Sequence, residues 1–371
     1  MAAIPTPLMS PRAIRHQIGQ LLIAGFSGTA IPVELRTIAR EFSLGGVILF
    51  ARNVEAPEQV AELAREARDL TPDTPPWVGV DQEGGRVARL RRPFTEWPPM
   101  RTLGRANRED LARRFARALA DELSAVGITL DFAPVLDVLT NRANIAIGDR
   151  AFADDAAIVA RLGSAVIDEL QRAGLAACGK HFPGHGDTRA DSHDELPVVE
   201  HPPDRLRAIE FEPFRAAVGA GVASLMVGHI VAVAFDDARP ASLSPFIVRL
   251  IRDELRYDGV VFTDDLDMGA ITKHRSVPEA VVEAIAAGCD AALVCQAPAD
   301  VQFASLEALV RALEEERLPY SRVEEALKRH QRMKERFLAA PLTPAAPWRA
   351  RRSVIGREAH AAVAAEMARF S

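Results

Sequence analysis

Eight short apolar runs, separated by longer stretches with a helical pattern, constrain the fold of this chain more than any other feature. The runs span residues 21–26, 46–50, 77–80, 130–135, 175–179, 224–228, 259–263 and 291–295. Continuously apolar strands are typical of parallel sheets that are covered on both faces, and parallel strands need crossover helices. The alternation therefore predicts an α/β fold, a (β/α)8 TIM barrel, with an open doubly wound sheet as the runner-up.

The stretches between and after these runs predict the helices. Helical patterns span residues 108–126, 156–173, 204–220, 245–255 and 277–287, and several of them stop at a glycine, a common helix terminator. Further charged helical patterns follow the last run, at 304–316, 321–337 and 357–370. We interpret residues 1–340 as a single barrel domain and residues 341–371 as a C-terminal helical extension.

Charge and cysteine content exclude some classes of partner. A net charge of −6 argues against a nucleic-acid-binding surface. The apolar run at 21–26 is too short for a signal peptide or a membrane span, and the three cysteines form no CxxC pair or disulfide framework. We therefore expect a cytoplasmic protein, monomeric, that acts on a small molecule without a membrane or nucleic-acid partner.

Polar residues come at the carboxyl ends of four of the predicted strands. They are Asp81, the pair Lys180 and His181, His229, and the pair Asp264 and Asp265. In a TIM barrel all carboxyl ends meet at one mouth, so these residues are expected to converge on one pocket. No GxGxxG follows the first strand and no GxxxxGK[ST] occurs, which disfavours a nucleotide-binding sheet.

The segment from Lys180 to His193 carries one lysine, three histidines and two aspartates among glycines and a proline. A packed core would exclude most of these groups, so the segment predicts a site. His185 lies between two glycines, and we expect it to shape the loop and not to transfer protons. We also expect residues 183–193 to close over a bound ligand.

Two further segments carry charged residues at strand ends. DQEGGRVAR at 81–89 places a carboxylate, two glycines and two arginines after the third strand, a pattern suited to a hydroxyl-rich ligand. TDDLD at 263–267 ends the seventh strand with adjacent acids. Strand alternation predicts that Asp264 or Asp265, but not both, faces the mouth, and Asp265 or Asp267 would also suit a helix N-cap.

Four motifs together resemble glycoside hydrolase family 3, and most closely its β-N-acetylglucosaminidase branch, the NagZ-type β-hexosaminidases. The motifs are DQEGGRV at 81–87, KHFPGHG at 180–186, DSH at 191–193 with Pro197 beyond it, and TDDL at 263–266. They occur in the family's order and span about half of the chain. The resemblance implies a retaining exo-hydrolase that releases terminal β-linked N-acetylglucosamine through a covalent glycosyl-enzyme intermediate, on fragments of peptidoglycan during cell-wall recycling.

The resemblance also implies roles for particular residues. Asp264 matches the nucleophile, His193 the general acid/base, and Asp191 the group that orients His193. The substrate-binding positions match Asp81, Arg89, Arg150, Lys180 and His181. No metal or cofactor is implied. A histidine is a suitable proton donor because its ordinary pKa, near 6.5, lets it give and take a proton at neutral pH.

Other functions remain open at this point. Within the family, the alternatives are a β-glucosidase and a phosphorylase that transfers N-acetylglucosamine to phosphate. A metal-dependent hydrolase would use His181, His185, Asp191 and His193 as ligands, although Pro183 and Gly184 disfavour the helix that a His-x3-His site normally needs. A Schiff-base lyase would use Lys180, and a non-catalytic sugar-binding protein would need no acid/base pair.

Overall fold

Eight parallel strands close into a barrel. The computed structural model describes residues 11–71, 73–189, 192, 195–338 and 347–371. The strands are β1 Leu22–Ala24, β2 Gly46–Leu49, β3 Trp77–Val80, β4 Leu130–Asp131, β5 Ala176–Phe182, β6 Ser224–Val227, β7 Val260–Asp265 and β8 Ala291–Val294. Because β1 pairs in parallel with both β2 and β8, the sheet has no edge. The predicted TIM barrel is confirmed, and the open sheet is excluded.

Helices surround the barrel and follow its last strand. In the described residues the α-helices are Pro11–Gln17, Val33–Phe42, Pro57–Arg68, Arg101–Ala106, Glu109–Ala125, Ala156–Arg172, Pro203–Ala208, Glu212–Gly219, Pro245–Asp253, Gly269–Thr272, Val277–Ala287, Ala299–Glu314, Tyr320–Phe337, Trp348–Arg352 and Glu358–Ala368. Short strands Val198–Val199 and Val231–Ala232 pair outside the barrel. Among the described helices, none combines the length and apolarity required to cross a bilayer.

The prediction of one helix over 204–220 is wrong, because the chain forms two helices there. Pro213 lies in the first turn of the second helix, where a missing N–H is tolerated. In the interior of one long helix the same residue would remove a hydrogen bond. At the break, Phe211 turns inward and is fully buried, with its ring 4.9 Å from that of Phe182.

Apolar side chains fill the barrel and also the layer between strands and helices. Inside the barrel, the Phe132 and Phe262 rings pack edge to face with their centroids 5.6 Å apart. Gly79 on β3 makes room for this pair, since a Cβ there would lie 2.8 Å from the Phe132 ring. The interior of the barrel is therefore a packed core at this level, and the cavities described below lie toward the ends of the strands.

The C-terminal helix Glu358–Ala368 packs against helix Glu109–Ala125. The buried Glu122 carboxylate accepts hydrogen bonds from His360 Nδ1 at 2.8 Å, from Gly356 N at 2.9 Å, and from both the N–H and the hydroxyl of Thr95. Arg357 Nε donates to His360 Nε2 at 2.7 Å, which leaves the imidazole proton on Nδ1 facing Glu122. The end of the chain thus docks on the barrel, whereas the domain boundary at residue 340 stays a prediction.

We expect His360→Ala to destabilise the protein by about 1–3 kcal/mol, because the buried Glu122 carboxylate loses a donor. The free energy of unfolding from urea titration measures the effect. His274→Ala, at an exposed position, is the matched control and should cost less than about 0.5 kcal/mol. Equal stability of the two variants would contradict a stabilising role for the docked helix.

Candidate active site

A cavity of about 380 Å³ opens at the carboxyl ends of the barrel strands. Charged residues from four strands or the segments after them form much of its wall. Apolar neighbours such as Phe50, Met226 and Met268 also line it. The charged residues and the histidines are Asp81, Glu83, Arg86, Arg89, Arg150, Lys180, His181, His185, Asp264, Asp265 and Asp267. The cavity therefore brings together six of the eight predicted site residues. The other two, Asp191 and His193, lie outside the described residues.

A buried ion cluster centred on Lys180 forms one side of the cavity. Lys180 Nζ lies 2.7 Å from Asp81 Oδ1 and 2.7 Å from Glu83 Oε1. Arg150 makes two hydrogen bonds of 2.8 Å to the Glu83 carboxylate, and Arg89 lies 3.2 Å from Asp81 Oδ2. Three cations thus face two carboxylates, and the cluster keeps a net positive charge.

Burial and pairing fix the charges in this cluster. Burial alone would raise the pKa values of Asp81 and Glu83, but the cations beside them hold both pKa values below the ordinary range. Burial alone would lower the pKa of Lys180, but Asp81 and Glu83 raise it above the usual value. Lys180 is therefore an ammonium donor at neutral pH, whereas a Schiff-base lysine needs a neutral amine.

Glu83 is a residue that the sequence analysis quoted in a motif but did not assign. Its side chain is 1% exposed, against 14% for Asp81. Asp81 consequently keeps surface toward the cavity, and Glu83 lies behind it and fixes the positions of Lys180 and Arg150. Glu83 lies only two residues after Asp81 and three after the end of β3, and this position in the sequence could have marked it as a site residue.

Asp264 and Asp265 both line the cavity at the end of β7, so the expectation that only one would do so is wrong. The register of β7 against β8 shifts between Ala291 and Leu293, and this irregularity breaks the simple alternation of faces. Asp265 Oδ1 accepts hydrogen bonds of 3.1 Å from the N–H groups of Asp267 and Cys295. Its carboxylate is thereby tied to the backbone.

The two carboxyls differ in charge. Burial would raise the pKa of Asp264, but the positive potential of His181 and His229 and the N–H of Asp265 lower it to about 2. Burial and the neighbouring Asp267 and Asp264 carboxylates raise the pKa of Asp265 to about 8. At neutral pH, Asp264 is therefore the anion of this adjacent pair.

The helix N-cap interpretation of Asp265 and Asp267 is also wrong. The following helix begins at Gly269, and its N-cap is Met268, with no side-chain cap. Asp267 Oδ2 instead accepts hydrogen bonds of 2.8 Å from the N–H groups of Gln296 and Ala297, after β8. Asp265 and Asp267 thus join the end of β7 to the segment that follows β8.

Asp137 is a residue that the sequence analysis missed. It is fully buried, and its Oδ2 accepts a 2.8 Å hydrogen bond from His181 Nδ1. Its Oδ1 accepts the backbone N–H groups of His181 at 3.2 Å and His185 at 2.7 Å. The pairing places a proton on Nδ1 of His181 and leaves Nε2 for a ligand in the cavity. Asp137 lies only six residues after β4, and this position at a strand end was the available signal.

We expect Asp137→Asn to lower kcat/KM by about 10- to 100-fold, because His181 loses a charge-assisted hydrogen bond worth about 1.5–3 kcal/mol. Steady-state kinetics on an aryl N-acetyl-β-glucosaminide measures the loss. The inhibition constant of free N-acetylglucosamine should rise in parallel, since His181 is expected to contact the sugar and Asp137 positions its ring. If activity falls only because the variant has a lower melting temperature and is partly unfolded in the assay, Asp137 has a purely structural role.

The first half of the loop after β5 is held in place. The His185 ring is buried and makes hydrogen bonds to Thr188 Oγ1 at 2.6 Å and Ser192 Oγ at 3.3 Å. Burial lowers its pKa, so it is neutral at pH 7. Asn144 donates to the carbonyl of His185 at 2.7 Å. His185 thus organises the loop, and closure of residues 183–193 over a ligand stays a prediction.

The metal alternative finds little support in the part of the chain that the structure describes. There, no group of three or more His, Cys, Asp or Glu side chains is arranged to hold an ion. His181 Nδ1 and both ring nitrogens of His185 already have protein partners. The two remaining ligands of that hypothesis, Asp191 and His193, lie outside the described residues, so a chelation experiment is needed to test it.

Known proteins resemble this chain closely. Residues 13–333 match the family described as glycosyl hydrolase family 3 N-terminal domain. A protein named beta-hexosaminidase from Thiobacillus denitrificans is 43% identical over 295 residues, which are 77% of this chain and 81% of the relative. A family 3 β-N-acetylglucosaminidase from Paenibacillus sp. superimposes with a TM-score of 0.90 at 37% identity, covering 96% of this chain and 68% of the other. NagZ from Neisseria gonorrhoeae, solved in complex with N-trifluoroacetyl-D-glucosamine, gives a TM-score of 0.76 at 31% identity, covering 94% and 97%.

Proposed function

The chain belongs to glycosyl hydrolase family 3, and from this we propose that it is a β-N-acetylhexosaminidase that removes terminal, non-reducing β-linked N-acetylglucosamine with retention of configuration. The observation that carries the proposal is the ionised Asp264 carboxylate on the wall of the strand-end cavity. The same cavity carries the cations and hydrogen-bonding groups around Lys180. A carboxylate nucleophile and a polar sugar pocket are what this reaction requires.

The proposed reaction has two steps. In the first, Asp264 attacks C1 of the sugar and forms a glycosyl ester, while His193 gives its proton to the departing oxygen. In the second, His193 takes a proton from water, and this water releases the sugar from Asp264. Asp191 orients His193 and favours its charged form. Two displacements at C1 restore the β configuration.

The buried ion cluster is proposed to bind the sugar. Lys180 and Arg89 donate hydrogen bonds to hydroxyl oxygens of the sugar, and the Asp81 carboxylate accepts hydrogen bonds from its hydroxyl groups. His181 Nε2 and Arg150 complete this set. Because the charges already pair with one another, the groups are positioned before the sugar arrives, which reduces the ordering needed on binding.

Hydrolysis of two aryl glycosides tests the proposal. We expect rapid release of nitrophenol from 4-nitrophenyl N-acetyl-β-glucosaminide and little from the β-glucoside, with the β-anomer of N-acetylglucosamine as first product. Preference for the glucoside would favour the β-glucosidase alternative, and formation of a sugar 1-phosphate in phosphate buffer would favour the phosphorylase. Activity that is lost on chelation and restored by zinc would favour the metal hydrolase.

The natural substrate and setting are part of the same proposal. We propose that the enzyme acts on muropeptides from peptidoglycan, in the cytoplasm, and as a monomer. The small cavity supports an exo-acting enzyme, since about 380 Å³ holds one sugar residue and leaves the aglycone at the open rim. Incubation with purified muropeptides, followed by mass spectrometry, should show loss of one N-acetylglucosamine per chain.

A further inference from the structure

A second cavity, of about 580 Å³, lies at the amino ends of the strands, away from the strand-end site. We call it the amino-end cavity. Its walls come from the segment before β1 with Gln17 and Gln20, from residues 73–75 before β3, and from helix Tyr320–Phe337. Apolar contributions come from Leu327, Leu338 and Pro75. Nothing in the proposed reaction uses it.

Lys334 is the unusual group in this wall. The residue is 8% exposed, and Nζ donates a 2.7 Å hydrogen bond to Gln20 Oε1, a neutral oxygen. It forms no ion pair with any residue that the structure describes. Burial lowers the pKa of Lys334 to about 7, with no carboxylate near enough to oppose the effect. An amine buried in this way is costly to charge unless an anion joins it.

The segments that adjoin these walls in sequence and lie outside the described residues do not supply that anion. Residues 1–10, 72 and 339–346 contain no aspartate or glutamate. Gln20 is fixed in place because its Nε2 donates to the carbonyl of Ser43 at 2.6 Å, so Oε1 stays turned to Lys334. His330, one turn before Lys334, is buried, and burial lowers its pKa to about 4, so it is neutral. Of the acids that line the cavity, Asp73 and Glu335 are exposed and Glu324 is half-buried, and none of the three forms an ion pair with Lys334.

We propose that the amino-end cavity is a binding site for a small organic monocarboxylate with an apolar body, whose carboxylate pairs with Lys334. Charge complementarity with the buried amine selects the anion, and the apolar wall selects the body. The exposed acids at the rim disfavour ligands with several negative charges. The site is independent of the proposed glycosidase chemistry at the other end of the barrel.

Binding of octanoate and of 1-octanol to the full chain, by isothermal titration calorimetry at pH 7, tests this site. The two probes share an apolar tail and differ in charge. We expect octanoate to bind at least about tenfold more tightly, a difference of about 1.4 kcal/mol. Equal affinity would reduce the site to an apolar pocket without a role for Lys334, and absence of binding by both would overturn the proposal.

Two variants separate the amine from the cavity. Lys334→Met removes the amine and keeps an unbranched chain of nearly the same length, so it should bind both probes equally, while glycosidase activity stays within about twofold of wild type. Gln20→Glu places a carboxylate beside Lys334 and should abolish the preference for octanoate although the lysine remains. Preference for octanoate that survives in both folded variants would place the anion elsewhere and contradict the proposal.

Discussion

Replacement of Asp264 with alanine is expected to lower kcat on 4-nitrophenyl N-acetyl-β-glucosaminide by at least about 10⁴-fold, a loss typical for a group that reacts covalently. The reason is that the two nearby acids that the structure describes at this wall are already engaged, Asp267 by the N–H groups of Gln296 and Ala297. Asp265, the adjacent acid, has its pKa raised to about 8 and its oxygen tied to two backbone N–H groups. Asp264 keeps its charge down to about pH 2, so its ionisation should not limit the rate at pH 4–7.

Azide can take the place of the missing carboxylate in this variant. It fits the space left by the Asp264 side chain and would attack C1 from the same face, giving the α-glycosyl azide and partial recovery of rate. Asp258→Asn, an exposed position before the start of β7, is the matched control and should stay within about twofold of wild type. Full activity of Asp264→Ala, or a trapped glycosyl ester on another residue, would remove Asp264 from this role.

The barrel was predictable because its strands are buried on both faces and are thus visible as continuous apolar runs. The convergence of Asp81, Lys180 and Asp264 on one cavity followed from the same reasoning, since all lie at carboxyl ends of strands. The ends of the strands were less predictable. Lys180, for example, was expected just after β5 but lies within it. β5 continues to Phe182 because β6 still pairs with it there. A local sequence pattern does not reveal this pairing between strands.

Partners of the site residues could not be predicted in the same way. The positions of Asp137 and Glu83 after strand ends mark them as candidates, but their roles follow only from what they bind, His181 in one case and Lys180 with Arg150 in the other. Both pairings join segments that are far apart in sequence. The side-chain directions of Asp264 and Asp265 likewise depend on a register shift against β8. Such features arise from tertiary packing, whereas alternation and composition report only local structure.

His193→Ala is expected to reduce kcat on an unactivated substrate, such as a disaccharide with a β-linked terminal N-acetylglucosamine, on the order of 10⁴-fold. General acid catalysis is worth about 10²–10⁴, and a sugar alcohol leaves poorly without a proton. Glycosyl ester formation from the 4-nitrophenyl glycoside should fall far less, because nitrophenolate leaves unaided. Ser192, the described residue next to His193 in sequence, lines the cavity, and its carbonyl accepts the N–H of Ala270 at 3.2 Å.

The pH profile gives a second, independent measure of the same role. In wild type, kcat/KM for the disaccharide should fall at high pH as the imidazolium loses its proton, and this limb should vanish in His193→Ala. His201→Ala is a matched control, because His201 contacts Asp187 of the same loop but does not line the cavity, so its limb should persist. A purely positional effect of His193 would slow both substrates alike. Equal losses of rate, for the disaccharide and for glycosyl ester formation from the nitrophenyl glycoside, would therefore show that His193 shapes the site and does not deliver the proton.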